Sequence, residues 1–202
     1  MPHMPSLSPE PDAIRLDGRC FTYVLPCAWE DFCKIGFSHD PLGRIRTLHP
    51  RWFEFFDVDA GVLVEAESQR DARDLELALR RPLKAHRAPA PLTIPVRAGG
   101  KTEWVRGANA QVLAAVRQLG DAGYRIWPLR DWLAAAIQAR VDGLYAWAEA
   151  RWPTDGEAAA AVPPVVILEL RDVLDAHVAT GVDPHPHLPA HVSAWYRRGA
   201  SH

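Results

Sequence analysis

The sequence predicts an α+β fold: a small three-stranded antiparallel sheet flanked by helices, followed by a helical C-terminal extension. Two strand-like runs, residues 21–25 and 32–37, lie on either side of a connection rich in turn formers. Apolar residues then recur at helical spacing around a third valine-rich run at 58–67. Beyond residue 123 the apolar pattern has only the helical period.

Taken in order, residues 1–17 read as a mobile tail with four prolines before Ala13 and no basic start of a secretion signal. The segment 26–31 joins the first two strands as a hairpin. Asp40-Pro41 supplies an N-cap and a proline at the first helical position, and Leu42, Ile45 and Leu48 give a short helix its apolar stripe, ending near His49-Pro50. The third strand follows, with Gly61 near its start. Ser68 and Asp71 form a helix-start signal, and Ala72, Leu75, Leu79 and Leu83 are the buried stripe, with Glu76 at its edge. Residues 88–101 read as a loop with room for a small strand at 92–96. A helix over 109–119 follows, stopped by Gly120 or Gly123. One long amphipathic helix is expected from Leu129 to Trp152, then a hinge at 153–164, a second helix through Val178, a His-Pro loop at 183–189 and a last turn at 192–196. The division predicted is a tail at 1–17, a sheet-bearing domain at 18–123 and a helical extension at 124–202.

The composition is that of a globular chain, with 48% hydrophobic and 24% charged residues. The longest apolar stretches fall well under the roughly 18 residues that span a bilayer, so no membrane association is expected and the cytoplasm is the expected compartment. Cys20, Cys27 and Cys33 match no zinc spacing and read as buried, reduced thiols. A net charge of -2 argues against coating nucleic acid by bulk electrostatics. Basic residues nevertheless concentrate between 68 and 106, where Arg70, Arg73, Arg80, Arg81, Lys84, Arg87, Arg97, Lys101 and Arg106 outnumber Asp71, Asp74, Glu76 and Glu103. That excess fits either a local phosphate-binding face or an ordinary solvated helix.

The candidate chemistry lies in an ordered set: Tyr23 within Thr22-Tyr23-Val24-Leu25, then Lys34-Ile35-Gly36-Phe37-Ser38, then Arg44 after Asp40-Pro41-Leu42-Gly43, then Ala72 and Glu76, then Glu103-Trp104. A phenol, an ammonium, a guanidinium and a carboxylate gathered on a small sheet are the parts a metal-dependent phosphodiester hydrolase needs. Over roughly residues 18–120 this set resembles the GIY-YIG endonuclease superfamily, in its branch of small phage and bacterial proteins whose second motif reads KIG.

The resemblance implies a three-stranded sheet, one divalent ion (Mg2+ or Mn2+) and single-step hydrolysis of nucleic acid, DNA foremost. Tyr23 matches the tyrosine beside the attacking water. A free phenol has a pKa of about 10, and Lys34 and Arg44 are expected to depress it. Arg44 matches the phosphate-binding arginine and Glu76 the metal-binding glutamate. Lys34 replaces the second-motif tyrosine, so that tyrosine's roles do not transfer; the lysine is left to hold phosphate or to tune Tyr23. Arg80 and Lys84 extend the expected nucleic-acid contact. Two departures stand out: the first motif reads Phe-Thr-Tyr without its glycine, and the family's terminal asparagine has no clear counterpart other than Asn109.

Other residues carry blander readings. His39 and His49 read as exposed turn histidines, and Glu103-Trp104 as an anchor for the preceding loop. Trp52, Phe53, Phe55 and Phe56 read as a partly buried core edge, the alternative being a stacking surface for unpaired bases. His185, His187 and His191 are a weak metal pattern interrupted by proline. The rival to an endonuclease is a binding adaptor on the same fold with its chemistry lost. The C-terminal helices are left open between nucleic-acid docking, a homodimer contact and partner binding.

Overall fold

A computed structural model of the chain describes residues 14, 16, 18–98, 100, 103–152 and 162–199. Its centre is an open, wholly antiparallel sheet flanked by helices. The strands are β1 (Cys20–Pro26), β2 (Phe32–Ser38), β3 (Val62–Ala66), β4 (Arg87–Ala88), β5 (Trp104–Arg106) and β6 (Ile126–Pro128), in the order β4-β5-β2-β1-β3-β6. The sheet thus has six strands where the sequence predicts three. β1, β2 and β3 are the predicted ones. The added three are two or three residues long, too short to show an alternating pattern. Arg87–Ala88 and Trp104–Arg106 extend the sheet beyond β2, and Ile126–Pro128 extends it beyond β3. Residues 92–96 form no strand: Leu92 is exposed in a turn, and a 3-10 turn follows at Val96–Ala98.

β1 is central, and its alternation divides the core in two. Phe21, Tyr23 and Leu25 face the helices α1 (Pro41–Leu48), α2 (Trp52–Phe55) and α5 (Leu129–Gln138), packing with Leu42, Ile45, Trp52, Trp104, Trp127 and Trp132. Cys20 and Val24 face α3 (Gln69–Arg80) and α4 (Asn109–Asp121), packing with Ala72, Leu75, Leu79, Val112 and Val116. The Thr22 hydroxyl on this second face donates to the Ala72 carbonyl at 2.8 Å, which fixes α3 over the sheet.

The helix starts follow the sequence signals. The Asp40 side chain accepts from Gly43 N at 3.1 Å ahead of Pro41, and Ser68 Oγ accepts from Asp71 N at 3.1 Å. The expected helix from 129 to 152 is instead α5, a 3-10 turn at Val141–Gly143 and α6 (Leu144–Glu149). The run Val141-Asp142-Gly143 has low helix propensity and breaks it. α6, α7 (Pro164–Ala179) and α8 (Ala190–Gly199) form a third core around Leu144, Leu170, Leu174, Val192 and Trp195. α7 is tied to the sheet layer by Arg51, which donates to Asp172 at 2.9 Å and to Asp175 at 3.0 Å. The last turn is longer than expected, a full helix. Most of the expected hinge lies outside the described residues, as does most of the expected tail, of which Ile14 and Leu16 pack against the first core. No described helix is long and apolar enough to cross a membrane.

Candidate functional site

Residues directly opposite in paired strands share a face. Tyr23 opposes Gly36, Leu25 opposes Lys34, and Lys34 in turn opposes Trp104, so the first-motif tyrosine and the Lys-Ile-Gly lysine both point toward α1. Gly36 has a specific steric task. A Cβ there would lie 2.6 Å from the Tyr23 ring Cζ and closer still to its hydroxyl oxygen, so the phenol occupies space only glycine leaves. α1 brings in Arg44, whose Nε donates to the Tyr23 hydroxyl at 3.3 Å and whose Nη1 donates to the Ala98 carbonyl at 2.6 Å.

Lys34 is fully buried, and its ammonium is met by three groups. It forms an ion pair with Glu103, donates to the Gly100 carbonyl at 3.2 Å and lies 5.7 Å from the centre of the Trp104 ring. Gly100 sits in left-handed backbone, φ +68°, which brings its carbonyl close: a Cβ there would fall 2.6 Å from Glu103 Oε2. Glu103 is therefore more than a loop anchor. It is the counter-charge without which a buried ammonium would be untenable.

Glu76 projects from α3, on the far side of the sheet, yet it is 5% exposed and its charge acts on both Tyr23 and Lys34. Its carboxylate is held by Arg80 Nη1 at 2.5 Å, one turn along the helix. Arg80, expected to meet nucleic acid, is thus engaged with Glu76. Lys84 is exposed on the 3-10 turn Arg81–His86 that follows α3. The structure joins Tyr23 with Arg44 and Lys34 with Glu103 directly, and brings Glu76 within electrostatic reach of the group.

Burial governs the protonation of this site. It pushes the Tyr23 phenol above its ordinary value, and the hydrogen bond and charge of Arg44 offset that rise without reversing it. Arg44 thus depresses the phenol as expected, but burial outweighs it, because the same packing that brings the cation near removes water. Burial also lowers the Lys34 ammonium, while Glu103 pulls it back up.

The remaining candidates fall away from the site. Trp52 and Phe56 are 1% exposed core residues that cannot stack on bases, while Phe53 and Phe55 are half-buried against that core. His49 stacks on Phe55 at 4.6 Å and His39 Nδ1 lies 3.2 Å from the Arg19 carbonyl. His185 pairs with Ser193 Oγ at 2.9 Å, and His191 lies 3.7 Å from Glu149. Among the described residues no group of three His, Cys, Asp or Glu side chains could hold a metal ion, so a cation here would rest on fewer protein ligands. Cys20, Cys27 and Cys33 are free, buried thiols, as their spacing suggests. Asn109 Oδ1 is buried at the start of α4 without a hydrogen-bond partner among the described residues.

The sequence places Glu103 in the ordered set as a loop anchor, without its role as the Lys34 counter-charge. The signal was present: a lysine alternating with Phe32 and Gly36 on the inner face of an apolar strand demands a carboxylate, and Glu103 is adjacent to a tryptophan that pairs with that strand. No protein-family model, curated protein or solved structure matches the chain.

Proposed function

We propose that this chain is a divalent-metal-dependent endonuclease of the GIY-YIG type, hydrolysing phosphodiester bonds in nucleic acid, DNA foremost. The observation that carries the reading is the Tyr23–Arg44 pair set over Gly36 beside Lys34. It gives the Lys-Ile-Gly motif a physical reason: lysine places a cation on the inner face, and glycine two residues on makes room for the phenol.

In this reading Arg44 exchanges the Ala98 carbonyl for a phosphate oxygen. Its planar fork then meets the charge that develops on the phosphoryl group. Lys34 stays paired with Glu103 and supports the packing beneath Tyr23 and Arg44. The phenol of Tyr23 is protonated at rest, so it orients the attacking water by hydrogen bonding; it could accept that water's proton only as a phenolate, after giving its own proton to solvent. An all-oxygen donor set of one carboxylate, solvent and substrate phosphate suits Mg2+ or Mn2+. Glu76 is the residue that would hold the ion, exchanging its contact with Arg80 for it. A bound divalent ion supplies Lewis-acid polarisation and lowers the pKa of its water. The C-terminal helices serve substrate docking, a homodimer contact or a partner.

One observation favours a second reading. The charged groups of the site are already satisfied within the protein: Arg44 by Ala98, Lys34 by Glu103 and Gly100, Glu76 by Arg80. A catalytically silent adaptor would look the same. Incubation of the full chain with single-stranded, duplex and branched DNA and with RNA, in Mg2+ and in Mn2+, separates the two. The endonuclease cleaves at least one of these, and Arg44→Ala and Glu76→Ala each lose about 10²- to 10³-fold or more while circular dichroism shows an intact fold. Intact nucleic acid throughout discards the endonuclease in favour of the adaptor.

A further inference from the structure

A cavity of about 650 Å³ opens between α1, α5, α6 and α7, apart from the phenol site. Its size is that of a small-molecule pocket, for which about 300–1,000 Å³ is usual. Leu42, Trp52, Ile137 and Leu144 form part of its apolar wall, and Val165 and Leu168, 69% and 61% exposed, continue that apolar surface to the mouth. Large aliphatic side chains exposed beside a concave apolar wall mark a place that binds something.

The charges around the wall decide what. Asp172 is ion-paired with Arg51 at 2.9 Å, an arginine it shares with Glu54 and Asp175, and Glu169 with Arg151 at 3.0 Å, so each lining carboxylate already has an arginine partner outside the lining. Arg140 is paired with Asp40 at 3.0 Å. His177 is buried with Nδ1 donating to the Val173 carbonyl at 2.7 Å, and burial lowers its pKa, which keeps the imidazole neutral. Arg46 and Arg97 are left, both lining the cavity and neither with an ion-pair or hydrogen-bond partner among the described residues. An apolar wall with two guanidinium groups that have no paired carboxylate among the described residues is complementary to an apolar body bearing an acidic head.

We propose that this cavity is a binding site for an amphipathic organic anion, with its apolar body against Leu42, Trp52 and Leu144 and its carboxylate or phosphate held by Arg46 and Arg97. The site is independent of the phosphodiester chemistry proposed above.

Isothermal titration of the full chain with decanoate, 1-naphthyl phosphate and the neutral 1-decanol tests it. At least one anion binds at one molecule per chain, and the tighter of the two shows whether the body is aliphatic or aromatic. The double variant Arg46→Ala/Arg97→Ala weakens that anion by about tenfold or more, and Leu168→Glu, at an exposed position that folding tolerates, does likewise. 1-Decanol binds at least about tenfold more weakly than the anion. Absence of saturable binding by both anions overturns the proposal. So does equal binding of the neutral alcohol, or an affinity unmoved by the arginine variants when their thermal unfolding matches the parent.

Discussion

The phenol site and the cavity beside α7 are both lined by cations, and they differ in what those cations touch. At the sheet, Arg44 and Lys34 are sealed against carbonyls and Glu103. At the cavity, Arg46 and Arg97 have no such partner among the described residues. α1 supplies Arg44 to one and Arg46 to the other, two residues apart, and one 3-10 turn supplies the Ala98 carbonyl to the first and Arg97 to the second. The difference teaches that a ligand at the sheet must displace internal partners, whereas a ligand in the cavity supplies the missing one. The cost of mutation should split in the same way.

The largest expected effect is on the sealed side. Glu103→Ala leaves the buried Lys34 ammonium without its carboxylate and costs about 3–5 kcal/mol of folding stability, measured by urea unfolding. Lys34→Met removes the charge instead and is nearly neutral or stabilising, because Glu103 is partly exposed and can turn to water. Equal losses for the two variants would break the comparison.

An intermediate effect comes from the buried thiols of the same sheet. Cys27 is raised from its ordinary value of 9.0 to about 12 by burial, with Glu30 adding to the rise, and burial raises Cys20 and Cys33 as well. A raised thiol pKa means that the unfolded chain loses its proton first. The contribution is whole below about pH 9 and is lost as pH climbs toward about 12. At pH 10 Cys27 alone costs about 1.4 kcal/mol, and Cys27→Ala flattens the alkaline limb of a stability-against-pH series. The smallest effect belongs to the open side: Arg46→Ala and Arg97→Ala each stay within about 0.5 kcal/mol of the parent in the same unfolding experiment.

Much of this was legible in the residues. Asp40-Pro41 and Ser68-Asp71 announced two helix starts through capping chemistry that acts locally, and each cap is present at hydrogen-bonding distance. The alternation of β2 puts Lys34 and Gly36 on one face, because a strand's period is fixed by its backbone, whereas their sharing it with Tyr23 depends on the pairing register. The short strands β4, β5 and β6 were illegible, since each is specified by pairing with a distant strand and not by its own pattern. The protonation of Tyr23 was misread for a related reason. Sequence shows which charges come near, but not how much water the surrounding tryptophans remove, and here desolvation is the larger effect. Glu103 lay between: its partner's need was readable, while its arrival depended on the left-handed turn at Gly100.

The proposal that Glu76 holds one divalent ion within electrostatic reach of Tyr23 and Arg44 is probed by a manganese titration of the full chain followed by electron paramagnetic resonance. The account predicts saturable binding of one Mn2+ per chain that is abolished in Glu76→Ala and retained in Arg44→Ala. Manganese that does not bind saturably, or that binds with unchanged affinity when Glu76 is gone, would contradict it.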